Sequence, residues 1–432
     1  MQNAIMRGTT LEEVMRIQVE GKHPLNGQYR PSGSTNAAVH LLVASLLTES
    51  PVVLHNFPHT TSAQSIVQQA EGLGAQIERE GNNTLKIHTP QIIKRSVTSE
   101  GTNSLLFLAP VLVRRQYARM ELDFPLNRIR THLEALRDLG LDIITAEGAI
   151  ECKAAQWGYR DIVLSQTSVT ATALVMMLSA CFGQETVIYN AACEPQLQAL
   201  ANMLEMMGAQ VQGIGSNLLR IFGKQTLNGV ETSIMPDHIE IASIATTAAL
   251  SGGRVQINDV QQSDLRIIDK IYARLGLELD LDENVLFVPK QEALAVSNRE
   301  EDVDASIETA PWPGFPSDLI ATATVVATQA RGTSLIHEKL YNNRLLFVDK
   351  LNAMGAQILL CDPHRAIVVG ATPLRAIYMD SPDIRAGLGM LSAALIAEGS
   401  STIDNAQVLG HFFENILQKL QALGAHITVE SG

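Results

Sequence analysis

The sequence predicts a mixed α/β fold built from six copies of one supersecondary unit, and two observations carry this prediction. A Leu- or Met-rich helical stretch followed by glycine and a β-rich run recurs at intervals of about 70 residues, as in GLGAQI and ALGAHI. Each copy also contains an Ala- and Leu-rich helix that opens with a small polar cluster. The glycines of the six copies are Gly74, Gly140, Gly208, Gly276, Gly355 and Gly424.

Both helices of the repeated unit have recognisable ends. Ser, Thr, Asp and Asn accept hydrogen bonds from the free amides of a first helical turn, and glycine adopts the left-handed conformation that ends a helix. The polar openings begin at Ser34, Thr102, Ser168, Asp237, Ser317 and Ser381. The helices that follow them are apolar nearly all round, which predicts that they lie inside, under the sheets.

Length and repeat number together predict two domains. A chain of 432 residues exceeds one hydrophobic core, and six copies divide most simply into three and three. We expect one domain over 35–233 and another over 1–34 plus 234–432, with the two chain crossings forming a hinge. Two N-terminal strand-like segments are expected to pair with the second domain: 15–19 and 27–31.

The composition excludes several classes of protein. A formal charge of −13, only 4% aromatic residues and no basic run disfavour nucleic acid as a partner. No apolar stretch reaches the roughly 18 residues of a membrane span, and the start of the chain is too polar for a secretory signal. The four cysteines show neither metal nor redox spacing, so we expect buried thiols, no metal and a reducing cytoplasmic location.

The repeat also indicates the chemistry of the ligand. Helices that share one orientation and direct their N-termini at a common cleft create an anion site from free amides and partial positive charge. An acidic protein needs such a device to hold phosphorylated substrates. We therefore expect anionic small molecules as substrates, with the helix-opening residues as candidate contacts.

Four segments are specific enough to indicate a family: SGSTNAA at 32–38, TAPWPGFPSD at 309–318, NNRLLFVDKLNAMGAQ at 342–357 and PDIRAG at 382–387. With the six-copy period, they resemble the UDP-N-acetylglucosamine enolpyruvyl transferase family. Those enzymes transfer the enolpyruvyl group of phosphoenolpyruvate to a sugar hydroxyl in the first committed step of peptidoglycan synthesis. The related 5-enolpyruvylshikimate-3-phosphate synthases rank second, because their PGSKS and NAGT motifs are absent here.

This resemblance implies a fold and a set of site residues. The implied fold has two inside-out α/β barrel domains, each of three βαβαββ-type units. The implied activity uses no cofactor. Asp318, after the FP dipeptide, is the expected base that deprotonates or orients the acceptor hydroxyl. Asp383 and Arg385 are expected to steer the enolpyruvyl intermediate and pair with its anionic groups. The expected substrate-binding residues are Asn36, Ser168, Val169, Thr170 and Leu340.

Several cleft positions differ from the family pattern, and most of the differences remove positive charge. The changed positions are Thr35, Thr102, Asn127, His411 and Asn342, where the family has one lysine, three arginines and a glutamate respectively. The loop that normally carries a cysteine or aspartate proton donor is shorter and reads DFPLNRIR. Because each charge-assisted hydrogen bond contributes about 1.5 to 3 kcal/mol, these changes are expected to weaken phosphoenolpyruvate binding unless other cations replace them.

Three functions remain open from the sequence alone. The first is an enolpyruvyl transferase with an altered nucleotide or sugar acceptor, favoured because Asp318 and the D-x-R motif are retained. The second is an inactive paralogue that holds a nucleotide sugar or regulates a true transferase. The third, a relative of RNA 3′-phosphate cyclases, requires an affinity for nucleic acid that the acidic charge disfavours. Arg128 and Arg130 of the shortened loop are the candidates for replacing the lost cations.

Overall fold

The computed structural model describes residues 15–154, 158–182, 184–297, 306–380 and 386–430. Its strands form six four-stranded sheets of the same topology. Three sheets belong to each of two units. The first unit comprises Ser32–Asp237 and Pro311–Pro313. The second comprises the described parts of Met1–Pro31, His238–Ala310 and Gly314–Gly432.

The strands are β1 Arg16–Glu20, β2 Asn26–Tyr29, β3 Val52–His55, β4 Gln76–Glu80, β5 Thr84–His88, β6 Ser96–Thr98, β7 Tyr117–Glu121, β8 Asp142–Ala146, β9 Ala149–Lys153, β10 Arg160–Val163, β11 Thr186–Tyr189, β12 Gln210–Gln212, β13 Leu218–Phe222, β14 Glu231–Ser233, β15 Arg254–Asn258, β16 Asp280–Leu281, β17 Val285–Val288, β18 Ser306–Glu308, β19 Gly332–His337, β20 Gln357–Asp362, β21 Arg365–Gly370, β22 Tyr378–Asp380, β23 Ser400–Asp404 and β24 His426–Glu430. The α-helices are α1 Thr35–Ser45, α2 Thr61–Gly72, α3 Leu108–Arg115, α4 Arg130–Asp138, α5 Val169–Phe182, α6 Pro195–Met206, α7 His238–Leu250, α8 Gln262–Ala273, α9 Ile320–Gln329, α10 Val348–Ala353, α11 Gly387–Ile396 and α12 Ile416–Ala422. Short 3-10 helices span Thr102–Phe107, Leu126–Ile129, Ser317–Leu319 and Ala406–His411.

Each sheet contains one parallel pair and two antiparallel pairs of neighbouring strands. In one sheet of the first unit, β6 runs parallel to β7, and β9 lies antiparallel between β7 and β8. A parallel pair requires a crossover connection, which α3 supplies, while α4 connects β7 to β8. This βαβαββ arrangement recurs, and it confirms the predicted fold class. The sheet orders are β14-β3-β5-β4, β6-β7-β9-β8 and β10-β11-β13-β12 in the first unit, and β16-β17-β15-β2, β18-β19-β21-β20 and β22-β23-β1-β24 in the second.

Three strands complete sheets whose other members lie far away in the chain. β14 joins β3 in parallel and so closes the first sheet of the first unit with that unit's last strand. β2 joins β15 in parallel, and β1 lies antiparallel between β23 and β24. The expectation that the two N-terminal strands pair with the second half of the chain is therefore confirmed.

The Ala-rich helices form the core of each unit, as their lack of a polar face predicts. In α5 every residue from Ala171 to Cys181 is buried, and in α7 every residue from His238 to Ala249 is buried. α7, α9 and α11 contact one another in the second unit, as do α3 and α5 in the first. Within the described residues, none of the helices combines the length and apolar character that crossing a membrane requires.

The predicted helix ends are confirmed in part. All six repeat glycines have a positive φ, between 78° and 110°. Ser34 and Ser168 accept hydrogen bonds from the amides of Ala37 and Ala171, as expected of caps. The prediction was wrong at Thr102 and Ser317, where each chain segment starts a 3-10 helix without a side-chain cap. The opening at Ser381 lies outside the described residues.

Candidate active site

Asp318 lies in the 3-10 helix Ser317–Leu319, which leads directly into α9. The guanidinium Nη2 of Arg344 donates a hydrogen bond to Asp318 Oδ1 across 3.3 Å. The guanidinium carbon of Arg344 also lies 4.8 Å from the centre of the Tyr341 ring. The Arg344 side chain is only 10% exposed, whereas that of Asp318 is 30% exposed. Ring stacking and the ion pair thus hold one cation beside a carboxylate that solvent reaches.

Glu338 connects the two chain segments that carry this pair. Its buried carboxylate accepts hydrogen bonds from the Ser317 hydroxyl at 2.7 Å and the Thr309 hydroxyl at 3.0 Å. It also accepts from the backbone amides of Leu340 at 2.8 Å and Tyr341 at 3.1 Å. A buried charge is tolerated when several donors satisfy it, and charge-assisted bonds are stronger than neutral ones. Glu338 therefore fixes the residue before Asp318 relative to the loop that leads to Arg344.

A buried histidine lies on the neighbouring helix. α7 contacts the 3-10 helix of Asp318, and His238 is the first residue of α7. Burial lowers the pKa of His238, and the carboxylates of Asp264 and Asp318 act in the opposite direction. Burial also raises the pKa of Asp264, against the effects of His238 and of a hydrogen bond from Ser263. Because its pKa lies below the usual value of about 6.5, His238 is a neutral imidazole at pH 7.

A small cleft opens beside Asp318 within the second unit. Its lining includes Asp318 and Arg344, and also Ala386, the residue that directly follows Arg385 in the chain. Asp383 and Arg385 themselves lie outside the described residues, so their roles stay predictions. The lining residues are Ser317, Asp318, Ile320, Ala321, Arg344, Phe347 and Ala386.

The substrate-binding candidates of the first unit lie at the starts of core helices. Asn36 is in the first turn of α1 and is half-buried, and its backbone carbonyl is hydrogen-bonded to His40 Nδ1. Thr35, where the family has lysine, is buried with its hydroxyl 2.9 Å from the Thr60 hydroxyl. Threonine at this position therefore contributes a neutral contact inside the unit.

The nucleotide-binding candidates lie at the start of α5: Ser168 precedes the helix, and Val169 and Thr170 are its first two residues. Ser168 Oγ accepts from the Ala171 amide at 3.3 Å, and Val169 packs against the hydrophobic core. The Thr170 hydroxyl is hydrogen-bonded to His132 Nε2 at 2.7 Å. The 3-10 helix that begins at Thr102 contacts both α1 and α5. The structure thus brings together the elements that carry Asn36, Thr102 and Ser168.

The remaining candidates lie nearer the surface. Asn127 and Arg128 are exposed, and Arg130 pairs with Glu134 on α4 at 2.8 Å. This contact occupies Arg130 on an exposed helix face, where its side chain is 81% accessible. In the second unit, Leu340 and Asn342 are exposed, and His411 is half-buried at the end of a 3-10 helix.

Glu338 and Arg344 were not among the site residues predicted from the sequence. Arg344 lies in a segment that carried the family resemblance. Its positive charge within that segment could have indicated a role in the site. Glu338 gave no comparable signal, because two of its four donors, the hydroxyls of Thr309 and Ser317, come from a segment that only the folded chain brings near it.

Comparison with known proteins agrees with this fold. The family model described as EPSP synthase (3-phosphoshikimate 1-carboxyvinyltransferase) matches residues 19–420. The UDP-N-acetylglucosamine 1-carboxyvinyltransferase of Borrelia garinii is 39% identical over 419 residues, 95% of this chain and 97% of the relative. The protein of the same name from Borreliella burgdorferi is 38% identical with the same coverage of both chains.

A solved structure shows the same fold at lower identity. The enolpyruvyl transferase NikO from Streptomyces tendae superposes with a TM-score of 0.86 at 20% identity, over 97% of this chain and all of that one. The two units therefore have the fold of that enolpyruvyl transferase. The chain belongs to the EPSP synthase (3-phosphoshikimate 1-carboxyvinyltransferase) family, and the predicted resemblance is confirmed.

Proposed function

We propose that this chain transfers the enolpyruvyl group of phosphoenolpyruvate to a hydroxyl group of a nucleotide sugar or related nucleotide, with release of inorganic phosphate. The observation that carries the proposal is the Asp318–Arg344 pair at the cleft of the second unit. The names of relatives 38–39% identical over 95% of the chain support UDP-N-acetylglucosamine as the first acceptor to test. We expect the reaction to take place in the cytoplasm, as the sequence composition indicates.

The chemistry requires a base at the acceptor and positive charge near the anionic donor. In the proposed reaction the acceptor oxygen bonds to the central carbon of phosphoenolpyruvate, and Asp318 takes the hydroxyl proton. As the oxygen adds, carbon 3 takes up a proton from solvent, and loss of a proton from carbon 3 then expels inorganic phosphate and restores the double bond in the product. Arg344 supplies a guanidinium next to Asp318, at a position with little solvent exposure, where it stabilises negative charge more strongly than in bulk water.

The altered cleft positions support a changed acceptor or a changed donor affinity. Thr35 and Thr102 lie where the family carries cations, and Arg130 is engaged with Glu134. Asp383 and Arg385, which retain the family's D-x-R pattern, are proposed to complete the site next to Ala386.

The test measures phosphate release from phosphoenolpyruvate in the presence of a panel of nucleotide sugars, nucleotides and free sugars. We expect release with at least one acceptor, and its loss in Asp318→Asn. Arg344→Lys keeps the charge but not the planar fork, so we expect kcat/KM to fall about 10²-fold. Asp349→Asn, an exposed carboxylate at the start of α10, is the matched control and should retain activity.

The same panel addresses the alternative of an inactive paralogue. If no acceptor supports phosphate release while calorimetry detects binding of a nucleotide sugar, the transferase proposal is refuted and the paralogue is favoured. Full activity of Asp318→Asn would also contradict the role assigned to this carboxylate.

A further inference from the structure

His132 is a buried histidine to which the proposed reaction gives no part. It is the third residue of α4, and only 5% of it is exposed. Its Nε2 lies 2.7 Å from the hydroxyl oxygen of Thr170, the second residue of α5. α4 begins where the shortened loop 123–130 ends, and α5 begins at the candidates for nucleotide binding. The contact therefore joins the remodelled part of the first unit to its expected nucleotide site.

The first turn of α4 is also held against the segment that leads into α5. The Ser165 hydroxyl donates to Glu134 Oε2 at 2.6 Å and lies 3.4 Å from the Thr131 hydroxyl. The other oxygen of Glu134 accepts from Arg130 at 2.8 Å. Supporting contacts of this kind fix the side chains of a binding site in one geometry. The position of His132 relative to α5 is thus set by several contacts, of which its own is one.

The proton on the imidazole ring decides which partner donates. Burial lowers the pKa of His132 to about 4, so the ring is neutral at pH 7 and carries one N–H. Among the described residues, none forms a hydrogen bond with its buried Nδ1. A buried N–H without an acceptor is costlier than a bare lone pair, so the proton belongs on Nε2. His132 Nε2 therefore donates to the hydroxyl oxygen of Thr170.

This donation leaves the hydroxyl proton of Thr170 for another acceptor. Threonines inside other core helices use that proton within the helix: Thr246, Thr247 and Thr324 each donate to the carbonyl four residues earlier at 2.7 Å. Thr170 lies in the first turn of α5, so the carbonyl four residues earlier precedes the helix. Because Thr170 is half-buried, a ligand can reach its hydroxyl group.

The same helix start offers backbone amides to an anion. The amide of Thr172 donates to the carbonyl of Ser168 at 2.9 Å, so the earlier amides of Val169 and Thr170 have no acceptor inside the helix. Such amides and the positive end of the helix dipole favour a phosphate group. The Thr170 hydroxyl adds a side-chain donor at the same place.

We propose that His132 is a positioning residue for nucleotide binding: by donating to Thr170, it directs the Thr170 hydroxyl proton to the diphosphate of the acceptor nucleotide sugar. The inference rests on the nucleotide substrate of the proposed function, but it requires binding alone and no turnover. The added donor lies in the unit where Thr35 and Thr102 stand in place of the family's cations.

The test measures the binding of uridine diphosphate and of UDP-N-acetylglucosamine to the full chain by calorimetry. His132→Leu removes the donor and fills the space, and Thr170→Val removes the hydroxyl at nearly constant volume. Each should weaken the binding of both ligands about tenfold, as expected for one hydrogen bond to a charged group. The double variant should bind as weakly as Thr170→Val, because both changes act through one hydroxyl. His132→Gln, whose amide can donate to Thr170, should retain most of the affinity.

A control and a kinetic measurement separate positioning from a merely structural role. Thr131→Val is the matched control, because Thr131 is buried on the same helix but its hydroxyl lies next to Ser165. It should leave the nucleotide affinity unchanged, whatever its effect on the melting temperature. In the transferase assay, His132→Leu should raise KM for the acceptor and leave kcat and KM for phosphoenolpyruvate nearly unchanged.

The inference is overturned if the unmodified chain does not bind uridine diphosphate, or if His132→Leu binds it as tightly as the unmodified chain. It is also overturned if the losses of the two variants multiply in the double variant, or if Thr131→Val weakens binding as much as His132→Leu. The proposed function fails by a different result, the absence of phosphate release with every acceptor. An inactive paralogue that binds a nucleotide sugar would still show the effect of His132→Leu on binding.

Discussion

The hydroxyl group of Ser317 donates a hydrogen bond to the buried carboxylate of Glu338 across 2.7 Å. Ser317 directly precedes the proposed base Asp318, and Glu338 also accepts from the backbone amides of the loop that leads to Arg344. One carboxylate thus positions both members of the pair at the cleft, although it does not line the cleft itself.

Replacing Glu338 by glutamine tests this positioning role. Glutamine keeps the shape but turns charge-assisted hydrogen bonds into neutral ones, so the free energy of unfolding should fall by about 1–3 kcal/mol. In the transferase assay, kcat should fall while the pH profile of the remaining activity stays the same, because Asp318 is retained. Urea unfolding and steady-state kinetics measure the two effects.

Glu308→Gln is the control for that substitution. Glu308 lies close by on β18, but it is partly exposed and pairs with Lys339 and His337 at the surface. Exposed ion pairs contribute at most about 1 kcal/mol, so little change is expected. Equal losses in the two variants would contradict a specific role for Glu338.

His132 is expected to make the protein sensitive to acid. Burial lowers the pKa of His132 to about 4, whereas an unfolded histidine titrates near 6.5. As the pH falls from 6.5 towards 4, the unfolded chain therefore takes up a proton that the folded chain does not, and stability is lost. For this one group the loss amounts to about 2 kcal/mol at pH 5.

His132→Gln removes this titration and can keep a hydrogen bond to Thr170. Urea unfolding at pH 7 and pH 5 should therefore show a smaller loss for this variant than for the unmodified chain. His40 and His238, whose pKa values burial also lowers, account for a residual loss. The exposed His59 supplies the control, and an identical pH dependence for His132→Gln and His59→Gln would refute the prediction.

The four thiols should differ in reactivity. Burial raises the pKa of Cys152 and of Cys181 to about 12, and that of Cys193 to about 11, so few thiolates form at neutral pH. Cys361 is exposed on β20, and the expectation that all four thiols are buried was wrong there, because Ile358 is the buried residue of this edge strand and the positions from Leu359 to Cys361 are exposed.

We expect a maleimide to modify the native chain at Cys361 alone, and the urea-unfolded chain at all four cysteines. The resemblance also implies that fosfomycin, which alkylates a loop cysteine in this family, leaves this chain unmodified, because the loop 123–130 has no cysteine. Peptide mapping by mass spectrometry checks both outcomes. Fosfomycin attached to any cysteine of the native chain would contradict the second one.

Two glycines at the end of α2 offer a matched pair of substitutions. A Cβ at Gly72, the last residue of the helix, meets nothing within 4 Å, so Gly72→Ala should stabilise the protein by about 0.5–1 kcal/mol. Gly74 has a φ of 110°, and its Cβ would lie 2.6 Å from the Gln91 carbonyl oxygen. Gly74→Ala should therefore destabilise it by at least about 1 kcal/mol. Chemical unfolding should shift in opposite directions for the two variants.

Local chemistry made much of the fold predictable. The repeat glycines and the caps at Ser34 and Ser168 act within a few residues of the helices that they bound. The caps expected at Thr102 and Ser317 failed because both segments begin with tight 3-10 turns, after Gly101 and Pro316 respectively. Sequence alone did not indicate how these turns are arranged.

The site was predictable only where a motif carried it. Asp318 ends the family motif TAPWPGFPSD, so the sequence indicated it. Glu338 acts through hydrogen-bond partners that lie up to 29 residues away in the chain. Thr35 illustrates the same limit. The sequence shows that threonine replaces the family's lysine, but the contact of Thr35 with Thr60 depends on the packing of α1.

The pairing of β1 and β2 with strands from the second half of the chain sets an order of events during synthesis on the ribosome. All strands of the first unit's three sheets have emerged once β14 is made, so these sheets can form early. β1 and β2 emerge before them, yet β2 must wait for β15, and β1 must wait for β23 and β24 near the end of the chain. For most of translation, the nascent polypeptide therefore carries two leading strands with unsatisfied edges, which are suitable targets for a chaperone.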